Sequence, residues 1–195
     1  MFIKNDKKFH FRSSVGNKAN HATEYSYELN TLYHVKISQT QIVTGNFEYC
    51  IHINGVIFEC LINFQPRSFE TALFYLSDPW YDSFDGYGKL SNLSIANPNL
   101  QDHRMAAVQT EVNNWHMELQ GLIPVTKGNV LNVFYNWGEE YHIEMDVEIN
   151  QELPKAWMNV FHITTGSDRR SARQGKRIPC LNLDKSAQKL EFTSL

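Results

Sequence analysis

The apolar positions of this chain recur with a period of two from near its first residues to near its last. Phe9 and Phe11 alternate with His10 and Arg12, and Tyr33, Val35 and Ile37 alternate with His34, Lys36 and Ser38. Alternation of this kind marks strands with one face in a core and the other in water. Between Tyr49 and Cys60 the pattern runs into Asn54-Gly55 and out again, and that dipeptide supplies the positive φ angles of a two-residue hairpin turn. Tyr49, Ile51, Ile53, Val56, Phe58 and Cys60 are therefore expected on one face of a hairpin. Further strands are predicted over Phe69 to Leu76, Leu90 to Ile95, Val130 to Tyr135, Tyr141 to Ile149, Trp157 to Thr164 and Leu190 to Thr193. Leu100 to Val112, rich in Gln, Ala, Met and Glu after Asn97-Pro98, reads as a short helix or a linker.

Many short strands with almost no helix predict an all-β fold, an antiparallel two-sheet sandwich. Its expected core includes Phe11, Ile51, Ile53, Phe58, Phe74, Leu93, Ile143, Met145, Val147 and Phe161. Composition agrees: the 195 residues include 12 Phe, 9 Tyr and 4 Trp, whose flat rings suit pleated surfaces. The formal net charge of -3 provides no global positive field, so nucleic acid is not an expected partner. No long apolar run is present and no membrane span is expected, and the first residues, with Lys4, Lys7 and Lys8, lack the apolar stretch of a signal peptide. Three cysteines leave at least one unpaired within the chain. A two-residue turn at Asn54-Gly55 sets Cys50 opposite Glu59 and points the Cys50 and Cys60 thiols to opposite faces, so a disulfide between them is not expected.

One weak repeat joins the two ends. Lys8-Phe9-His10-Phe11-Arg12-Ser13 resembles Lys189-Leu190-Glu191-Phe192-Thr193-Ser194, each after an acidic-basic pair, Asp6-Lys7 and Asp184-Lys185. The chain reads as beginning and stopping at the same point of one repeating unit.

These residues lead into a family resemblance. Met145-Asp146-Val147, Trp157 to His162, Thr164 to Gly166 and Arg177-Ile178-Pro179 resemble the first half of concanavalin A-like (laminin G-like) jelly-roll domains. Tyr33 to Ile37, Ile53 to Val56, Asn63 to Pro66, Asp78-Pro79-Trp80-Tyr81 and Gly88 to Leu93 resemble the second half. The resemblance implies halves in permuted order: 1–95 as the second half, 96–112 as linker or short helix, 113–195 as the first half, and one sandwich overall or a fragment of a tandem array. Both terminal strands would then claim one place in a sheet, and the implied assembly is a strand-swapped homo-oligomer. The resemblance also implies an extracellular protein that binds carbohydrate or extracellular protein partners.

The sharpest chemical pattern is Glu144-x-Asp146-x-Glu148, three carboxylates at alternate positions of a strand and so on one face. Retaining glucanases of the same superfamily carry such a pattern, which by resemblance would make Glu144 the nucleophile, Asp146 its neighbour and Glu148 the acid/base. A water-facing strand gives the same alternation, and His142 and Asn150 extend it. The expectation is a non-catalytic recognition module, with the β-glucan glycosidase as the alternative. Trp80 and Tyr81 offer rings for sugar stacking or for plugging the sandwich end. Arg169, Arg170 and Arg173, with Lys176 and Arg177, form a basic loop suited to anionic glycans or to plain solvation. No cofactor is expected. The one ion the resemblance brings in is calcium, with Asp78, Asp82 and Asp85 as oxygen donors or as an ordinary acidic turn. Asn92-Leu93-Ser94 is a glycosylation acceptor in an exported chain.

Overall fold

The computed structural model describes residues 3–4, 7–97, 116–154, 157–166, 177–185 and 189–190. In chain order the strands are β1 (Ile3–Lys4), β2 (Lys7–Val15), β3 (Lys18–Ser26), β4 (Leu32–Val43), β5 (Asn46–Ile53), β6 (Val56–Asn63), β7 (Phe69–Leu76), β8 (Asp82–Ser83) and β9 (Gly88–Ala96). They continue with β10 (His116–Ile123), β11 (Asn129–Trp137), β12 (Tyr141–Ile149), β13 (Trp157–Thr164), β14 (Cys180–Lys185) and β15 (Lys189–Leu190). The described residues contain no helix. The segment read as helix or linker, Leu100 to Val112, lies outside them.

Two sheets form the sandwich. One runs in the order β10-β9-β12-β4-β5-β6 and the other β11-β7-β13-β14-β2-β3, with β8 added in parallel beside β13 and every other pairing antiparallel. The two stretches of chain interleave: β12 lies between β9 and β4, and β13 with β14 lies between β7 and β2. Neither stretch completes a sheet without the other.

The inner faces follow the period-2 pattern. Phe11, Ile51, Phe74, Leu93, Ile143, Met145, Val147 and Phe161 are 0–1 % exposed, and Ile53 is 4 % exposed. Each such side chain contributes about 1.5–3 kcal/mol by leaving water. Phe58 is the exception, packing against the core only in part.

The reason is a bulge. The hairpin begins with Ile53 opposite Val56 and His52 opposite Ile57, but the register then shifts, so that Ile51 meets Glu59 and Cys50 meets Cys60. One extra residue on β6 therefore slides every later partner by one place and turns the two thiols toward each other. Cys50 and Cys60 form a disulfide across a Cα separation of 4.2 Å. The expectation of opposed thiols is thereby corrected. Val56, expected on the buried face, is 70 % exposed at the edge of the sheet.

The terminal repeat takes two different places. Phe9 to Arg12 lie within the seven-stranded sheet, between β14 and β3, whereas Lys189 and Leu190 pair with Lys4 and Ile3 in a separate ladder. Residues 191–194 lie outside the description.

Candidate functional site

Strand β12 carries the acidic pattern at the centre of the six-stranded sheet. Tyr141, Ile143, Met145, Val147 and Ile149 are 0–3 % exposed. Alternation then sends Glu144, Asp146 and Glu148 to the outer face, as the apolar register demands. On that face the flanking strands bring partners to each acid. Lys36 on β4 lies beside Glu144, with Nζ 2.8 Å from Oε1, and His34 Nδ1 lies 2.8 Å from Asp146 Oδ1. Asn150 donates to Glu148 Oε1 at 2.8 Å, and Lys89 on β9 lies 3.7 Å from its other oxygen.

The most constrained group is Asp146. Its Oδ2 accepts from Asn92 Nδ2 at 2.7 Å, while Asn92 Oδ1 accepts the backbone N–H of Gly121 at 3.1 Å. Asn92 reaches this position through a bulge in β9: Glu144 pairs with Ser94 but Asp146 with Ser91, and Asn92 itself has φ 52°. Bulges re-aim a side chain that regular pleating would send elsewhere. In the sequence Asn92 is a glycosylation acceptor within the Gly88 to Leu93 motif; in the structure its amide nitrogen is engaged with Asp146. A signal was present: Leu90 and then Leu93 and Ile95 fall on opposite phases of the alternation, which requires an extra residue between them. His142 is half-buried on the same face, with Nε2 3.2 Å from Thr40 Oγ1. Burial, helped by the charge of Lys36, pushes its imidazole below the ordinary histidine range.

This arrangement holds planar donors and acceptors in fixed positions. Glu144 and Glu148 have separate partners, Lys36 for the first and Asn150 with Lys89 for the second. Residues four apart on a straight strand lie about 13 Å apart at Cα, against roughly 5–5.5 Å between the carboxyl groups of a retaining pair.

The other candidate residues lie elsewhere. Asp78 is fully buried: Oδ1 accepts the N–H groups of Trp80 and Tyr81 at 2.9 and 2.8 Å, and Oδ2 lies 2.7 Å from His162 Nδ1. Asn159, also fully buried, accepts the N–H of Asp78 and donates to Asn182. Asp82 lies 3.3 Å from Lys127, and Asp78, Asp82 and Asp85 do not gather their oxygens as one ligand set. Trp80 packs over His162 and Tyr75, with ring centroids 5.5 and 5.9 Å away, and both Trp80 and Tyr81 are half-buried. Arg177 is buried at 7 % exposure rather than solvated, and Arg169, Arg170, Arg173 and Lys176 lie outside the described residues.

Cys180 lies opposite His162 in the pairing of β13 with β14, so sequence position sets a thiol beside a histidine that is itself bound to an aspartate. Burial nevertheless pushes the thiol up to about 11, the reverse of what an attacking cysteine needs. At pH 8 roughly one thiol in a thousand is then ionised. Iodoacetamide at that pH is expected to leave the native chain unlabelled and to add one label per chain in non-reducing urea. Full labelling of the native protein within minutes would contradict the buried, neutral thiol.

Compared with protein-family models, with curated proteins and with solved structures, the chain matches none of them.

Proposed function

We propose that this chain is a non-catalytic recognition module that binds hydroxyl-rich glycans on the outer face of the six-stranded sheet. The observation that carries this reading is Asp146, held between His34 and Asn92 by hydrogen bonds to both of its oxygens. A sugar hydroxyl both donates and accepts, and neighbouring hydroxyls are best met by carboxylate and amide groups whose geometry is already fixed. The separate anchoring of Glu144 and Glu148 supports binding over cleavage. The Cys50–Cys60 disulfide supports an oxidising, extracellular setting. The resemblance to concanavalin A-like jelly rolls supports the choice of face, since in such folds this outward face is either the glycan groove or plain solvent.

A glycan array followed by calorimetry on the best ligand tests the proposal. Asp146→Ala is expected to weaken binding about tenfold or more, about 1.4 kcal/mol. Glu148→Gln should leave binding largely intact, and laminarin and lichenan should release no reducing sugar. An array without bound glycans, or unchanged affinity in Asp146→Ala, would count against this face. Reducing sugar that disappears in Glu144→Gln would establish the glycosidase instead.

A second reading rests on the edge strand β6. Val56, Ile57 and Phe64 are 70, 60 and 67 % exposed. Val56 and Ile57 line a cavity of about 490 Å³ together with Tyr25, Ile53, Asn54 and Phe58. An apolar edge with free backbone groups is suited to a protein partner that adds a strand.

A further inference from the structure

The outer face of the seven-stranded sheet carries a second cluster, independent of the glycan-binding reading. His10 on β2 lies directly opposite Glu24 on β3, and Asp184 lies on β14, the strand on the other side of β2. One ligand atom from each of His10, Glu24 and Asp184 lies within 4.8 Å of the others. His10 Nδ1 is 3.2 Å from Glu24 Oε1. We propose that His10, Glu24 and Asp184 bind a divalent transition cation of the zinc type, which would clamp β3, β2 and β14 together.

The second observation is the state of His10. It is 5 % exposed, its Nε2 has no hydrogen-bond partner, and its Nδ1 faces Glu24 Oε1, an oxygen of the same cluster. A neutral imidazole carries one N–H and one lone pair, and burying either without a partner is costly. Such orphaned groups call for a ligand, and a cation on one nitrogen supplies it. Asp184 is 9 % exposed and likewise makes no hydrogen bond or ion pair among the described residues. One nitrogen and two carboxylate oxygens make a donor set for a borderline ion, whereas calcium takes six to eight oxygens.

The cations facing the cluster are compatible with this occupant. Lys8 Nζ engages Glu24 through Oε2 at 2.6 Å, which leaves Oε1 toward His10. Arg12 lies over the Trp157 ring, 5.3 Å from its centroid, and the same ring stands edge-on to His10 at 4.9 Å and closes that side. Arg177 is the remaining cation that acts on the imidazole. Ligands to zinc stand about 2.0–2.2 Å from the ion. The present spacing therefore has to close slightly, and the exposed Glu24 side chain is free to make that movement.

The test uses the full chain stripped of metal and titrated with zinc chloride by calorimetry, with cobalt(II) absorption as a second readout. The expected result is one equivalent per chain with a saturating affinity in the micromolar range or tighter, and a raised melting temperature. Glu24→Gln, at an exposed position that leaves the fold intact, is expected to weaken that affinity at least tenfold. His10→Gln should do the same, with circular dichroism confirming its fold. No saturable binding up to millimolar zinc, or a one-equivalent site whose affinity is unchanged in Glu24→Gln, would overturn the proposal.

Discussion

Asp78→Ala is expected to lower the stability of the fold by about 3–5 kcal/mol, because several buried hydrogen-bonding groups lose one shared acceptor. The carboxylate is fully buried and holds the N–H groups of Trp80 and Tyr81 as well as the His162 ring. Alanine deletes all of these contacts and fills none of the space. Each buried donor left without an acceptor costs about 1–3 kcal/mol. The sum is limited because Trp80 and Tyr81 are only half-buried, and water can reach part of the opened loop. Asp78→Asn keeps the shape and one oxygen for the backbone N–H groups, so its loss should be nearer 1–2 kcal/mol. Urea denaturation measures both, read as a shift in midpoint at constant slope. A loss below about 1 kcal/mol in Asp78→Ala would show that the loop does not depend on this carboxylate. Iodoacetamide labelling of Cys180, which borders His162, should quicken in parallel as the region opens more often.

The strands and the inner faces were legible because they depend on a repeating pattern that a single residue cannot hide. Tyr141 to Ile149 supply apolar groups at alternate positions, and water exclusion leaves their phase no choice. Local offsets of the backbone were harder to read. In the β5–β6 hairpin the turn chemistry was correct, but Val56, Ile57 and Phe58 are consecutive apolar residues, and alternation cannot say which one is the extra. One residue of slip was enough to reverse the disulfide expectation. Asn92 was overlooked for the same physical reason, although its phase break was visible between Leu90 and Leu93.

Outer-face polar residues posed a different difficulty. Period-2 reasoning sends His10, His162 and Asn182 away from the core and equates that with solvent. In the structure Trp157 packs against His10, and Trp80 packs over His162. These polar groups are therefore buried by contacts beyond their own strand, which no local pattern reports. Among the described residues no ring packs over the acidic face of β12, and there alternation located Glu144, Asp146 and Glu148 on the outer side. Alternation could not say that His34, Lys36 and Lys89 would arrive from β4 and β9, because strand order is a long-range property.

Gly88→Ala is expected to destabilise the chain by about 2–3 kcal/mol, as overpacking of a closed site does. Glycine inside a strand ordinarily costs about 0.5–1 kcal/mol relative to alanine, so without a steric obstacle this change should stabilise. Here the obstacle is close. A Cβ at position 88 would run into the backbone oxygen of Glu148, with Ile149 Cδ1 at 3.0 Å and Phe84 Cδ2 at 3.2 Å behind it. Phe84 and Ile149 are fully buried, so neither can swing into open space. Relief requires β9 and β12 to separate where Gly88 pairs with Ile149. Because the obstructing oxygen belongs to Glu148, the shift would be carried directly into the acidic face, displacing Glu148 relative to Lys89. Gly55 provides the contrast: its φ is 78°, but a Cβ there meets nothing within 4 Å, so Gly55→Ala should cost only the turn strain of about 1 kcal/mol. Thermal or urea unfolding of the two variants side by side separates the causes. A Gly88→Ala protein as stable as the parent would mean that the strands have room to part, and that the rigid seam beneath Glu148 does not exist.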